Sequence, residues 1–532
     1  MTRKLPADEG HVHPIRGSRS FTQVSLAMTV LALLAGINVP ASADDAQALQ
    51  QLRQQLDRMQ AEFEKQQQLQ RQQMDAIRRQ IETLQGKPGV QAPQPTAPPT
   101  SPTPSTTEAP KPVGTGNSTL DAGKAWSPSD PIRLQSGRSL LDISLNGTLA
   151  TGGSTASQID GGTQLGGHDP KVNGFTLQSL ELSLSGMVDP YFRATTDIAL
   201  HLDSSGESSL EIEEAYMETL SLPGKLTLRA GQFLTPFGRH NMQHVHEWSF
   251  VDSPVAHARL LGPDGLRNLG GQISWLMPFR FHSELTLAVQ NSAGETASSF
   301  RFDNEGEARF HRQLGDLRAN RLGDLLFTPR WSTSFDLTDS QTIVVGASSA
   351  IGPNASGAEE QTRIHGADLF WKWKPTRHQG GFPFVSWQSE ALIRRYQAGA
   401  FDWDLDGDGL VNADGSELDG NGDALPDVLP RETFQDYGFY SQLSYGFRRG
   451  WVVGIRGEMV DRRHQAIYEG LFGDDTDRLG RWRLSPNLTW HPTEFSRLRL
   501  QYNHDQRRQI GADHSVWLQM DFSLGAHGAH KF

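Results

Sequence analysis

From about residue 140 to its end the chain alternates apolar and polar residues with a period of two, and that pattern confines it to β-structure. Ile143, Leu145, Gly147 and Leu149 share one face of the first such segment. Phe192, Ala194, Thr196, Ile198, Leu200 and Leu202 share a face of another, opposite Arg193, Thr195, Asp197 and His201. The same rhythm returns over 325–337, 481–490 and 516–524. About 16 runs of this kind are present, each of roughly the length a tilted strand needs to cross a bilayer.

A soluble sandwich would alternate as well, but three features point to a membrane. The runs come in close pairs, 175–186 with 191–202 across Val188-Asp189-Pro190, and 207–220 with 224–233 across Pro223-Gly224. Longer polar excursions at 237–266, 293–322 and 400–432 separate the pairs, as long external loops separate strands joined by short periplasmic turns. Trp371, Trp373, Trp387, Trp451, Trp482 and Trp490 fall near strand ends, where interfacial girdles form. Phe532 closes the chain in phase with the apolar face of the last run, the terminal aromatic that outer-membrane assembly requires. The expected fold is all-β, an antiparallel transmembrane β-barrel of about 16 strands over 139–532, in the outer membrane of a Gram-negative bacterium.

Composition removes several alternatives. After the first 45 or so residues no apolar run approaches the ~20 residues of a spanning helix. The 49 Lys and Arg against 61 Asp and Glu give a net charge of −12, the wrong sign for a general nucleic-acid binder. With no Cys there is no disulfide scaffold, no thiolate catalysis and no Cys-ligated metal.

The first 138 residues follow other rules. Arg3, Lys4, Arg16 and Arg19, the apolar stretch Val24–Val39 and the A-x-A of Ala41-Ser42-Ala43 read as a secretory signal peptide over 1–43. Residues 44–85 contain no Gly or Pro, and place Leu49, Leu52, Leu56, Met59 and Phe63, then Met74, Ile77, Ile81 and Leu84, at coiled-coil spacing. Gln67 and Gln70 bridge the gap between the two sets as a stutter. A Pro/Thr/Ser-rich linker over 86–138 follows, a semi-rigid spacer. These segments predict a periplasmic, self-associating arm able to approach peptidoglycan.

If the apolar face meets lipid, the other face lines a lumen. Arg193, Arg229, Arg330, Lys372, Arg394, Arg456, Arg481, Arg483, Arg497 and Arg499 then point inward, together with Asp197, Glu213, Asp336, Asp368, Glu390, Glu458 and Asp505. Cross-strand pairing would brace the wall. Arg481, Arg483, Arg497 and Arg499, however, lie on consecutive strands without an equal local count of acids, which favours anions.

The stretch FTLQSLELSLSGMVDPYFRATTDIAL (175–200), LEIEEAYMETL (210–220) and LTLRAGQFLTPFGRHN (226–241), with Ala215-Tyr216 and the run Arg229–Gly238 most telling, resembles the phosphate-selective porins of the O and P type. The likeness is clear over about 175–275 and diffuse beyond. It implies a trimeric, 16-stranded porin whose third external loop, here about 238–269, folds inward to narrow the channel. In that loop Arg239, Arg259 and Arg267 would bind anions. They are mixed with His240, His244, His246 and His257 and with Glu247, Asp252 and Asp264, a departure from an all-basic constriction.

The sequence also offers two candidate metal sites, the first of which reads equally as ordinary polar loop histidines. His244-Val245-His246 is an H-x-H pair that could hold Zn²⁺, with His240 or Glu247 completing the shell. Asp404, Asp406, Asp408 and Gly409 match D-x-D-x-D-G, the opening of a Ca²⁺ loop, with Asn412 at its ninth position and Gly415 where a bidentate Glu belongs. Asp419, Asn421, Asp423 and Asp427 repeat the spacing. No G-x-S-x-G, H-E-x-x-H or P-loop pattern occurs, so no enzyme is expected, and no cofactor beyond Ca²⁺ in an external loop. The functional expectation is a passive outer-membrane channel for small hydrophilic solutes, anions such as phosphate preferred. The alternative is entry of zinc or another metal. An energised receptor is disfavoured, because a coiled coil and a Pro tract occupy the place of its plug.

Overall fold

A computed structural model describes residues 132–136, 139–301, 308–313, 315 and 319–525. The ranges read as signal peptide and coiled coil, most of the range read as linker, and His527, His530 and Phe532 lie outside the described residues. Sixteen strands follow one another: β1 (Ser139–Ser154), β2 (Gly174–Met187), β3 (Phe192–Leu202), β4 (Ser208–Thr219), β5 (Leu226–Leu234), β6 (Arg267–Leu276), β7 (His282–Gln290) and β8 (Leu326–Thr338). They continue as β9 (Gln341–Pro353), β10 (Gln361–Trp373), β11 (Phe384–Ala398), β12 (Glu432–Arg448), β13 (Trp451–Arg462), β14 (Arg481–Thr493), β15 (Ser496–Arg507) and β16 (Gly511–Gly525). Each pairs antiparallel with the next, and β16 returns to β1 through Ser144–Ser154, so the sheet closes into a barrel. Across that seam the Thr148 hydroxyl donates to Asp521 Oδ1 at 2.8 Å, joining residues 373 apart in sequence. Ile132–Ser136, within the range read as linker, adds a short strand paired with the start of β1.

The alternation read from the sequence is the alternation of the wall. Along β14, Trp482, Leu484, Leu488 and Trp490 are 40–47% exposed on the outside, while Arg481, Arg483, Ser485 and Thr489 between them are buried. Along β16, Val516, Leu518 and Met520 face out, and Trp517, Gln519 and Asp521 face in. An outer face this apolar is the lipid face of a transmembrane barrel.

Connections alternate in length, with tight turns such as 339–340, 449–450 and 494–495 at one end. At the other end lie loops L1 (155–173), L3 (235–266), L4 (291–325), L6 (399–431) and L7 (463–480), close to the excursions read from the sequence. Two apolar clusters sit at the loop end. Phe237, Leu260, Leu261 and Leu266 of L3 pack with Ala297 and Phe300 of L4 and with Leu326, Ala350, Ile364 and Leu392 of the wall. Tyr396, Leu429, Phe434 and Tyr468, with Phe310, Phe401 and Phe472 against them, hold L4, L6 and L7 together.

Candidate functional site in the lumen

Loop L3 does not stand out into solvent but folds into the barrel. At its neck Asn241 donates to the carbonyls of Thr235 and Leu266 and accepts from the Leu266 N–H, so the two ends of the loop are tied together. Beyond that point three buried groups of side chains attach it to the wall.

The first is centred on Asp252. Its carboxylate pairs with Arg456 of β13 and with Arg483 of β14 (3.0 Å), and accepts from Gln501 and Asn503 of β15 at 2.8 Å each. Backbone groups nearby do the same: the Val251 N–H donates to Gln501 Oε1 (2.8 Å), and the Trp248 carbonyl accepts from Arg497 (3.0 Å) and Arg499 (2.8 Å). Burial alone would raise the Asp252 carboxyl, but the two guanidinium charges outweigh it and hold it at about 2.

The second is centred on Glu390 of β11, which accepts from the His240 N–H (2.7 Å), the Tyr440 hydroxyl (2.6 Å) and His257 Nε2 (3.1 Å). His257 lies on the short helix α1 (Val255–Leu260), and the Val255 N–H at its start donates to Glu458 Oε2 of β13 (2.6 Å). The helix rests on the backbone of Gly438 in β12, where a Cβ would fall 2.6 Å from that of Ala256.

The third joins L3 to the opposite wall, β2–β4. His244 Nδ1 lies 2.8 Å from Glu213 Oε2, and its Nε2 lies 3.2 Å from Glu214 Oε2. His246 Nδ1 is 3.1 Å from Glu181 Oε2. Although burial opposes it, the surrounding carboxylates push the His244 imidazole well above the ordinary histidine range. His168 of L1 is raised to about 9 in the same way, burial being overcome by Glu213. Loop L1 packs on L3 here, with the Ser253 N–H donating to Asp169 Oδ1 at 2.7 Å.

The inward arginines of the sequence reading are engaged as follows. Arg330 is bidentate on Asp368 (2.6 and 3.0 Å), and Arg394 pairs with Asp436 (2.7 Å). Arg481 and Arg483 share Asp505, and Arg497 pairs with Asp521 (2.8 Å). Arg499 binds the Gln519 amide oxygen (2.6 Å) in addition to Trp248. Nearer the turn end Arg229 pairs with Glu218 (3.1 Å) over the Tyr216 ring, and the half-exposed Arg193 approaches the same carboxylate at 3.6 Å. In the loop Arg239 donates to Gln388 and stacks on Phe370, and Arg259 donates to the Leu479 carbonyl. Arg267, expected in the loop, is instead the first residue of β6, paired with Leu234 in the ladder, and its side chain pairs with Glu211. Lys372 lies 5.7 Å from the Phe384 ring.

His240, read as a third ligand beside the H-x-H pair, turns instead toward Ser253 (3.3 Å), Trp248 and His257. Burial beside His257 lowers it well below the usual histidine range. Wall carboxylates take its place around His244. Of these, Glu214 escapes a period-two reading that turns Glu213 inward, because β3 and β4 slip register between Asp197–Glu214 and Ile198–Ile212. That bulge lets the adjacent Glu213 and Glu214 both reach His244.

In L6 the two acidic repeats form matching turns. Asp404 accepts from the N–H groups of Gly407 and Gly409, and Asp419 from those of Gly422 and Ala424. Asp406 and Asp408, and likewise Asn421 and Asp423, each accept from the N–H two residues on. The Asn412 amide donates to Asp406, and Asp427 accepts from the Gly420 N–H. Glu417, buried two residues beyond the expected twelfth position, brings a carboxylate within 4.8 Å of Asp404 and Asp406.

No family model matches the chain. An uncharacterized protein of Aquifex aeolicus (strain VF5) is 29% identical over 388 residues, covering 69% of this chain and 73% of that protein. Among solved structures, an anion-selective porin from Comamonas acidovorans superposes with a TM-score of 0.42 at 9% identity, over 72% of this chain and 100% of the other. The outer-membrane channel DcaP of Acinetobacter baumannii gives 0.44 at 11%, over 73% and 97%. Salmonella typhi OmpF gives 0.43 at 8%, over 74% and 100%.

Proposed function

We propose that the chain is an outer-membrane porin, a passive channel for small hydrophilic solutes whose bore is set by loop L3. The observation that carries this reading is a loop tied across the inside of a closed barrel, to Asp252's partners on β13–β15 and to Glu213 and Glu214 on β4, below a lipid-facing apolar exterior. Selectivity then lies in the charges at the loop. On β13–β16 the five guanidiniums of Arg456, Arg481, Arg483, Arg497 and Arg499 meet four carboxylates, Asp252, Glu458, Asp505 and Asp521. The surplus of one, Arg499, supports a weak anion preference on that side of the lumen, opposite the carboxylates of β2–β4, and the likeness of 175–275 to phosphate-selective porins supports phosphate among the permeant anions. Refolded protein in a planar bilayer tests both parts. Stepwise conductance with a reversal potential of anion sign in a KCl gradient, and block by phosphate, are expected. A reversal of cation sign overturns the preference, and the absence of steps overturns the channel.

The arm at 44–116 fits a homotrimer held near the cell wall. Its deletion is expected to lower trimer yield and wall association, and unchanged values of both would refute the assignment. The paired turns of L6 fit Ca²⁺, whose hard oxygen ligands Asp404, Asp406, Asp408, Asn412 and Glu417 of one turn, and Asp419, Asn421, Asp423 and Asp427 of the other, would supply. Ca²⁺ is then expected to slow protease cleavage within 402–427, and to lose that effect in Asp404→Ala.

A further inference from the structure

We propose that Glu181, Glu213, His244 and His246 bind one divalent transition-metal ion of the zinc class, which fastens loop L3 to the β2–β4 wall. The site goes beyond the channel reading and does not depend on it.

Tetrahedral zinc with nitrogen and oxygen ligands at about 2.0–2.1 Å holds its ligand atoms about 3.3 Å apart. Here His244 Nδ1 is 2.8 Å from Glu213 Oε2 and 3.7 Å from Glu181 Oε2, and His246 Nδ1 is 3.1 Å from the same Glu181 oxygen. Those separations bracket the required one. The two imidazoles are stacked within 12° of parallel, so the H-x-H pair presents both Nδ1 atoms to a single carboxylate.

An outer ring of partners fixes the ligand orientations, as metal sites require. His244 Nε2 is held by Glu214 at 3.2 Å with Asp197 at 3.9 Å behind it. The second oxygen of Glu213 meets His168 Nε2 at 3.2 Å, and the second oxygen of Glu181 accepts from the Ser183 hydroxyl at 3.2 Å. Four largely buried carboxylates therefore converge on one imidazole, an excess of negative charge that a divalent cation offsets. A set of two imidazoles and two carboxylates selects zinc, cobalt or nickel over calcium and magnesium, which prefer all-oxygen shells. On binding, the proton on His244 Nδ1 passes to solvent and the metal takes its place, while the Nε2 proton stays donated to Glu214. The carboxylates are 3 and 6% exposed and the imidazoles 13 and 14%, so the ion enters from the histidine side.

The test uses the mature full-length protein in detergent, stripped with chelator, titrated with Zn²⁺ by calorimetry and with Co²⁺ by visible absorption. One Zn²⁺ per chain and the intense bands of tetrahedral Co²⁺ are expected. Glu213→Gln and His246→Gln should each abolish both signals, and Glu214→Gln should weaken binding about 10–100-fold at unchanged stoichiometry. The terminal histidines are present in every variant, so their contribution cancels. If Glu213→Gln does not fold, His246→Gln at the rim of the cluster decides. Zinc binding unchanged in His246→Gln, or a wild-type protein that takes up no zinc at millimolar concentration, overturns the site. Metal-free conductance of the same preparation separates that failure from failure of the channel reading.

Discussion

Asp252 joins L3 to three strands at once, through Arg456, Arg483, and the amides of Gln501 and Asn503. Asp252→Asn removes the charge that two buried guanidiniums face. Because Arg456 keeps Glu458 and Arg483 keeps Asp505, the loss should sit near the lower end of the range for a broken buried pair, about 3 kcal/mol. Loss of amide-exchange protection at Val251 and Val255 together with larger conductance steps would register it. The attachment is also pH-dependent in a definite sense. The carboxyl titrates at about 2 in the folded protein against an ordinary 3.8, so its contribution is complete above about pH 4 and is lost as pH falls through 2. Exchange protection of the same amides, corrected for intrinsic rate, should therefore hold at pH 4 and collapse by pH 2. In Asp252→Asn that step should vanish. At this scale the sequence reveals the wall arginines, since period two places them inward, but not their partners. Asp252 is one acid among several in a mixed loop, and only the path of L3 through the lumen brings it to Arg456 and Arg483.

Two irregularities in otherwise regular strands aim side chains at L3. The slip between β1 and β2 at Thr148–Leu149 accompanies Gln178, which donates to the carbonyls of His168 and Val251. The slip between β3 and β4 accompanies Glu213 and Glu214. Bulges of this kind leave no mark in a binary pattern, which is why the β2–β4 half of the site was only partly legible while strand pairs and loop bounds were read closely. Gly438 is a second such case, a small residue whose reason is the helix laid against it. Gly438→Leu would overpack the contact with Ala256 and displace α1, at a cost of about 1–3 kcal/mol. The barrel itself should survive. Protease cleavage confined to 235–266, in a protein with unchanged strand content by circular dichroism, is the expected result.

For the molecule as a whole, the fold was legible because each strand reports which face meets lipid. The loop interior was not, because its apolar clusters draw single residues from distant segments, as Phe237, Phe300 and Leu392 do. The exterior makes a direct prediction. Trp331, Trp387, Trp482 and Trp490 are about 41–47% exposed on the outer face, so brominated acyl chains should quench their fluorescence. Trp517, fully buried inside, should keep its emission. The seam between the first and last strands carries a further consequence for biogenesis. Until Gly511–Gly525 has been made, β1 has no partner on one side and the sheet is an open ribbon with two sticky edges. Without that last strand the barrel cannot close, and the contact that completes it is among the most distant in sequence, which makes it slow to find. Closure of the wall therefore waits on the last strand, and the two edges that meet at the seam are the first and the last to be made.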